Sequence, residues 1–210
     1  MTKRMTYANW DWERHYTTQG CCCVVGVDEV GRGAWAGPLV AVAYHFTAVA
    51  SDILVGDSKQ LPPNQRDKLF LQLQAFGSFG IGSASSAEID ALGVQQAQYQ
   101  AYMRAISQLE IRPDMVLLDG RPWPNAPYPC HAIVGGDAIV ASIAAASIMA
   151  KVYRDPLMKT TVHEQFPQYG FDEHVGYGTK KHQEAIATYG VTPIHRLSYK
   201  PLQQYQKRTD

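Results

Sequence analysis

Two adjacent carboxylates, Asp28 and Glu29, close an apolar run, VVGV, that carries no charge of its own. An ionised carboxylate is costly to bury unpaired, so a strand that ends on two of them has a chemical use for them. A Gly31-Arg32-Gly33 turn follows, rich in backbone N–H donors, and then a second apolar run. Acids at a strand tip beside such a turn suit cations and phosphates. Two further acids hold comparable positions. Asp119 follows the apolar MVLL, and Asp137 follows Gly135-Gly136 at the head of an alanine-rich stretch. Taken singly each has a plainer reading, Asp119-Gly120 as a turn and Asp137 as a helix N-cap. Gathered together, four carboxylates would repel, and several would be driven to protonate. Two divalent cations would cancel their charge, and oxygen-only ligands favour Mg²⁺ or Mn²⁺ over zinc. Such a pair, roughly 3.5–4 Å apart, suits in-line displacement at a phosphodiester: one ion activates a water and the other stabilises the leaving oxygen.

The elements that must deliver these acids can be read from hydrophobic pattern. Residues 23–28 read as a buried strand, and residues 38–46, apolar on both faces, as a central one. Pro62 and Pro63 can open a helix over 64–75. Residues 79–84 form a third strand, 88–109 one helix with apolar residues at helical spacing, 115–118 a short strand and 131–134 another. The four prolines of 121–129 require a loop. Residues 137–151 read as one helix, and the tail holds a short helix over 182–189. This order implies an α/β domain with a mixed sheet, whose chemistry gathers at strand ends. Asp155 lies 18 residues beyond Asp137, or roughly 27 Å along a straight helix. It is therefore read as structural, pairing locally.

At 210 residues with a formal net charge of zero, the chain is long enough for one domain with an appendage and shows no global signature of nucleic-acid binding. Charge is local instead: Lys180, Lys181, Arg196, Lys200, Lys207 and Arg208 stand against Glu184 alone between residues 174 and 208. That stretch is either a solvated surface or a face for an anionic partner. Cys21, Cys22, Cys23 and Cys130 show no metal-binding spacing and read as reduced, mostly buried thiols of a cytoplasmic protein. Residues 1–20 are polar and aromatic rather than a signal peptide, and no apolar run is long enough to span a bilayer.

Several segments together identify a family. VGVDEVGRGAWAGPLVAVA, GDSKQL, EIDALGVQQAQYQAYMRAI, VLLDG, GGDAIVASIAAASIMAKVYRDPLM, YGFDEHVGYGTKKHQEAI and PIHRLSYKP occur in that order, and the chain resembles ribonuclease HII, the bacterial type 2 ribonuclease H. The resemblance implies a ribonuclease H-like fold, a mixed five-stranded sheet flanked by helices with a small helical C-terminal extension. Its divisions would be a leader over 1–20, a catalytic domain over 21–165 and a nucleic-acid-contacting extension over 166–210. It implies Asp28, Glu29, Asp119 and Asp137 as catalytic ligands of two Mg²⁺ or Mn²⁺ ions. It implies cleavage of RNA in RNA–DNA hybrids, and cleavage 5′ of a single ribonucleotide in duplex DNA, leaving 3′-hydroxyl and 5′-phosphate ends.

Gly31, Arg32 and Gly33 would sense the 2′-hydroxyl and the adjacent phosphate. Tyr177 would pack against the sugar beside the scissile junction, and Lys59, Lys180, Lys181 and Arg196 would contact phosphates. The chain departs from the family's usual pattern at Ala34-Trp35, where Pro-Leu is more common, and at Gly93, where Asn is usual. The C-terminus shows no sliding-clamp motif, and a monomer is expected. Two alternatives stand beside this reading. One is a ribonuclease HIII-like hybrid nuclease without junction activity, against which Arg32 and the short leader argue. The other is a non-catalytic hybrid-binding module, against which the intact acid set argues.

Overall fold

The β-branched and small apolar runs form the middle of a sheet. In the computed structural model, which describes residues 7–47, 55 and 62–206, β1 (Val24–Val30) and β2 (Leu39–Phe46) pair antiparallel, with Gly26 opposite Tyr44 and Val30 opposite Val40. β3 (Gly77–Ala84) adds antiparallel to β2. On the other side of β1, β4 (Met115–Asp119) and then β5 (Cys130–Ile133) add in parallel. The five-stranded order is β3-β2-β1-β4-β5, the mixed sheet that the element order implies. β1 is central, which is why residues 24–28 are buried on both faces, while Glu29 and Val30 at its end are half-buried.

The helices cover both faces. α1 (Asp11–Thr18) precedes the sheet, and α2 (Pro63–Phe76) begins where the prolines allow. The expected helix over 88–109 is two helices, α3 (Ser86–Leu92) and α4 (Val94–Ile106). Gly93 separates them with φ 76° and ψ 150°, a conformation open essentially to glycine alone, so this glycine supplies the break. The expected helix over 137–151 is likewise two, α5 (Gly136–Ile139) and α6 (Ala141–Leu157), interrupted by an extended Val140. Asn9 causes this interruption. It forms a parallel bridge to Val140, donating its amide to the Ile139 carbonyl and accepting from the Ala141 amide.

α3 and α4 lie on one face, over Val25, Val27, Ala41 and Leu118; α6 and α2 lie on the other, over Val42 and Tyr44. The α6 contact is very close: a Cβ at Gly26 would stand 2.2 Å from the Ser142 carbonyl carbon, so only glycine admits the helix backbone there.

Past α6 the chain makes a π-helical turn (Met158–Val162), α7 (His163–Gln165), a 3₁₀ turn (Pro167–Tyr169), α8 (Phe171–His174), α9 (Lys180–Tyr189) and α10 (Gln203–Gln206). These close around Met158, Tyr169, Phe171, Ile186 and Leu202, with Ala36 of the β1–β2 connection inside the same cluster. Of the four cysteines only Cys23 is buried and Cys22 is exposed, with Cys21 and Cys130 half-buried; the expectation of mostly buried thiols fails because Cys21 and Cys22 precede β1 and Cys130 opens the outermost strand β5. Among the described residues no helix is long and apolar enough to cross a membrane.

Candidate active site

Strand register brings the acids together. β1 and β4 run parallel with Val27 beside Leu118, so the next residue on each strand, Asp28 and Asp119, emerges at the same sheet edge. Adjacent residues of a strand point to opposite faces. Val25 and Val27 face α4 and Gly26 faces α6, so Glu29 is directed to the α4 face and Asp28 to the α6 face. Each is met there by a donor from the covering helix. Ser147 of α6 hydrogen-bonds Asp28, and the Tyr102 hydroxyl of α4 donates to Glu29 Oε2. Asp28 Oδ1 also accepts from the Glu29 amide at 2.7 Å. Asp119 Oδ1 accepts from the Gly136 amide at 2.7 Å, which ties β4 to the residue before Asp137. Asp137 is buried in the first turn of α5.

The electrostatics are those of crowded acids. Burial first, then the charges of Glu29 and Asp119, push the Asp28 carboxyl well above the usual carboxylate range. Burial also raises Glu29, against the pull of Tyr102 and Arg32, with Asp119 adding to the rise. Like charges held this close favour a bound cation, and the donor set is carboxylate oxygen, which suits a hard divalent ion. The acids do not form a finished cage: among the described residues no three His, Cys, Asp or Glu side chains are spaced to hold a metal ion. Oxygens of Asp28, Glu29 and Asp119 accept from protein donors.

The Gly31-Arg32-Gly33 turn borders this cluster. Gly31 has φ 80°, and a Cβ on it would stand 2.2 Å from Arg154 Nε; Gly33 faces open space. Arg32 Nε donates to Gln98 Oε1 at 2.8 Å, and Gln98 Nε2 donates to the Tyr102 hydroxyl at 2.5 Å. A directed chain of donors therefore runs from Arg32 to Glu29. A cleft of about 220 Å³ opens here, lined by Glu29, Arg32, Gln95, Gln98, Asp119 and Arg121.

The remaining candidates divide. Tyr177 is 38 % exposed, with the Arg154 guanidinium 5.9 Å from its ring centroid. Lys180 is exposed and loosely paired with Glu184 at 3.7 Å. Lys181 pairs with Glu173 at 2.5 Å. Lys59 lies outside the described residues. Arg196 is a correction: it is 0 % exposed, and its guanidinium donates to the carbonyls of Gly37 and Arg32. A buried guanidinium must have its donors satisfied, and those carbonyls take them, so Arg196 holds the β1–β2 connection and contacts no phosphate. Asp155 pairs with Lys151 at 2.8 Å and with Arg66 at 3.8 Å, the local role expected of it.

Tyr102, Gln98 and Ser147 escaped the sequence reading because each sits among alanines on a helix face that reads as core; a polar residue within such a face is the signal that could have found them. Arg154, also 0 % exposed, donates to the carbonyls of Pro38, Ala36 and Val175.

Known proteins share this sequence and fold. The ribonuclease HII family model matches residues 25–202. Ribonuclease HII of Desulfitobacterium hafniense is 44% identical over 194 residues, 91% of this chain and 74% of that protein. The Cereibacter sphaeroides protein of the same name is 42% identical over 92% of each chain. The crystal structure of ribonuclease H2 from Pyrococcus horikoshii superposes with a TM-score of 0.73 at 27% identity, covering 89% of this chain and 98% of that one. With sequence matches running through nearly the whole fold, the chain belongs to the ribonuclease HII family of metal-dependent endoribonucleases.

Proposed function

We propose that this chain hydrolyses the RNA strand of RNA–DNA hybrids and cuts on the 5′ side of a single ribonucleotide in duplex DNA, leaving 3′-hydroxyl and 5′-phosphate ends. The observation that carries this reading is the parallel β1–β4 register, which sets Asp28 and Asp119 side by side at the sheet edge. Asp28, Glu29, Asp119 and Asp137 would hold two Mg²⁺ or Mn²⁺ ions. The chemistry such a pair supplies is activation of the attacking water and stabilisation of the leaving oxygen.

The chain's own residues supply orientation and choice of substrate. Ser147 and Tyr102 aim Asp28 and Glu29 from opposite faces of the sheet. Gly33, with nothing near its missing side chain, lets a sugar approach the backbone, and the 2′-hydroxyl is the group by which a protein tells RNA from DNA. Arg32, anchored on Gln98, stands beside the same path. The exposed face of Tyr177 offers a surface for the sugar, and Lys180, whose surface ion pair is weak, remains available to a phosphate. Lys59 retains its proposed phosphate contact, and residues 166–210 their proposed contact with nucleic acid.

The test is strand-cleavage mapping with Mg²⁺. A duplex with one embedded ribonucleotide is cut once, 5′ of that residue, and the all-DNA duplex is untouched. Asp119→Asn abolishes the cut while leaving hybrid binding in place. Equal cutting of both duplexes would end the 2′-hydroxyl reading, and retained cleavage by Asp119→Asn would remove Asp119 from the ligand set.

A further inference from the structure

Tyr177 sits on strained backbone that its own amides hold only in part. Val175 has φ 45° and Gly176 has φ 91°, and a β-branched residue in the left-handed region persists only where its surroundings impose it. Donors from elsewhere take each carbonyl of the segment. Val175 O accepts from Arg154 Nη1 at 2.9 Å, Gly176 O from the Trp35 amide at 2.8 Å, Tyr177 O from His182 Nδ1 at 3.0 Å beside the local Thr179 amide at 2.8 Å, and Gly178 O from Gln183 Nε2 at 3.1 Å. The Trp35 ring closes on Gly178 so tightly that a Cβ there would stand 2.2 Å from it.

Among these donors the imidazole alone has a choice of tautomer, and the geometry makes that choice. A carbonyl oxygen only accepts, so His182 carries its hydrogen on Nδ1. His182 Nε2 lies 3.1 Å from His195 Nε2. His195 Nδ1 accepts from the Thr192 amide at 2.9 Å, so its hydrogen is on Nε2 and points at the His182 lone pair. The direction is Thr192 to His195 to His182 to the Tyr177 carbonyl, with no lone pair of the two rings left over. A proton added to His182 Nε2 would set N–H against N–H; His195 Nδ1 also has the Thr192 hydroxyl at 2.8 Å.

The surroundings keep that proton out. His182 faces His174, stacked on it at 4.5 Å, together with Phe171 and Trp35; His195 faces Tyr169 and Phe171. His174 accepts from the Gly176 amide on Nδ1 and donates to Tyr169 O from Nε2. The nearest charges, Lys181, Glu173 and Asp172, act on His174. Burial depresses both His182 and His195 to about 4.

We propose that His182 and His195 are positioning residues for Tyr177, a neutral one-directional imidazole pair that fixes the Tyr177 carbonyl and with it the angle at which the ring meets the sugar. The proposal rests on the reading of Tyr177 as a substrate contact. The experiment measures kcat/KM of the full chain with Mg²⁺ on a duplex carrying one ribonucleotide, alongside ¹⁵N spectra of the histidines. His182→Leu lowers kcat/KM about tenfold, equivalent to about 1.4 kcal/mol of transition-state binding. His182→Asn, whose amide can stand near Nδ1, recovers most of it. Tyr177→Ala with His182→Leu is no worse than Tyr177→Ala alone; additive losses would overturn the proposal, because His182 would then act elsewhere. The spectra of the unmutated protein show His182 as the Nδ1–H and His195 as the Nε2–H tautomer, which stays measurable even where His182→Leu does not fold. Reversed tautomers with an impaired Tyr177→Ala enzyme sink the histidine pair alone. An unimpaired Tyr177→Ala enzyme sinks the reading of Tyr177, and with it this role of the histidines.

Discussion

Glu29 is the acid with the longest line of support. Arg32 donates to Gln98, Gln98 to the Tyr102 hydroxyl, and that hydroxyl to Glu29. Every donor points the same way, toward the carboxylate, so the chain orients Glu29 and links it to the arginine of the turn. Tyr102→Phe keeps the ring that packs beside Trp123 and deletes only the hydroxyl. Removing a partner that orients a ligand typically costs 10- to 100-fold in metal affinity or activity. The expected result is therefore a rise of about tenfold or more in the Mn²⁺ concentration for half-maximal cleavage, with the unfolding midpoint little changed. An unaltered Mn²⁺ titration would show that Glu29 needs no such orientation. Asp28, Glu29 and Asp119 stand out in the sequence because they end apolar runs, and Asp137 because it heads an alanine-rich stretch. Tyr102 and Ser147 were not, since their importance comes from which strand tip lies beneath them. Arg196 misled for the opposite reason: a basic residue in a basic stretch reads as surface, and only the fold shows its guanidinium spent on carbonyls of the β1–β2 connection.

At the scale of elements, the leader acts through α6. Val140, the residue before α6, has no side chain that can cap, and Glu13 of α1 takes that part: its Oε1 accepts from the Ser142 amide at 2.7 Å. A carboxylate at a helix N-terminus satisfies an orphan N–H and opposes the helix dipole. Burial nevertheless raises the Glu13 carboxyl above its usual range, so its charge is penalised and the acceptor oxygen matters more than the charge. Glu13→Ala should then lose about 1–2 kcal/mol, the worth of a good cap, and Glu13→Gln, which keeps an oxygen, should lose much less. Denaturant midpoints read both, and equal losses would reject the capping account. Strand positions and most helices were legible from periodicity, because buried strands and amphipathic helices advertise themselves. The breaks at Gly93 and Val140 were harder. The first is a single glycine within a helical pattern, and the second is imposed by Asn9, far away in sequence.

The whole molecule joins the sheet domain to its C-terminal part through groups that must stay in one protonation state. His182 and His195 lie buried between α9, the Tyr177 segment and Phe171, and burial holds both near pH 4 against an ordinary value of 6.5. A histidine depressed in the folded state binds protons more readily when unfolded, so stability rises with pH across that interval. Its contribution is complete above about pH 6.5 and is lost as pH falls toward 4. A shift of this size is worth about 3 kcal/mol for one isolated site. The two rings share a hydrogen bond and titrate as a pair, so a few kcal/mol for both is the expected scale.

Asp28, Glu29 and Glu13 act in the opposite sense. Their raised values mean that the folded state takes up protons first, which stabilises it as pH falls. Glu88, held at about 2 by Arg104, begins to lose its contribution near pH 4.5 and loses most of it below pH 4, equally in both proteins. The histidine effect is therefore isolated by difference. Unfolding free energies of the unmutated chain and of a His182→Asn, His195→Gln variant, measured from pH 7 to 4 in chelator, should converge as pH falls, because only the unmutated chain surrenders the histidine contribution. Parallel curves would mean that the two imidazoles take up protons as readily in the folded protein as in the unfolded chain.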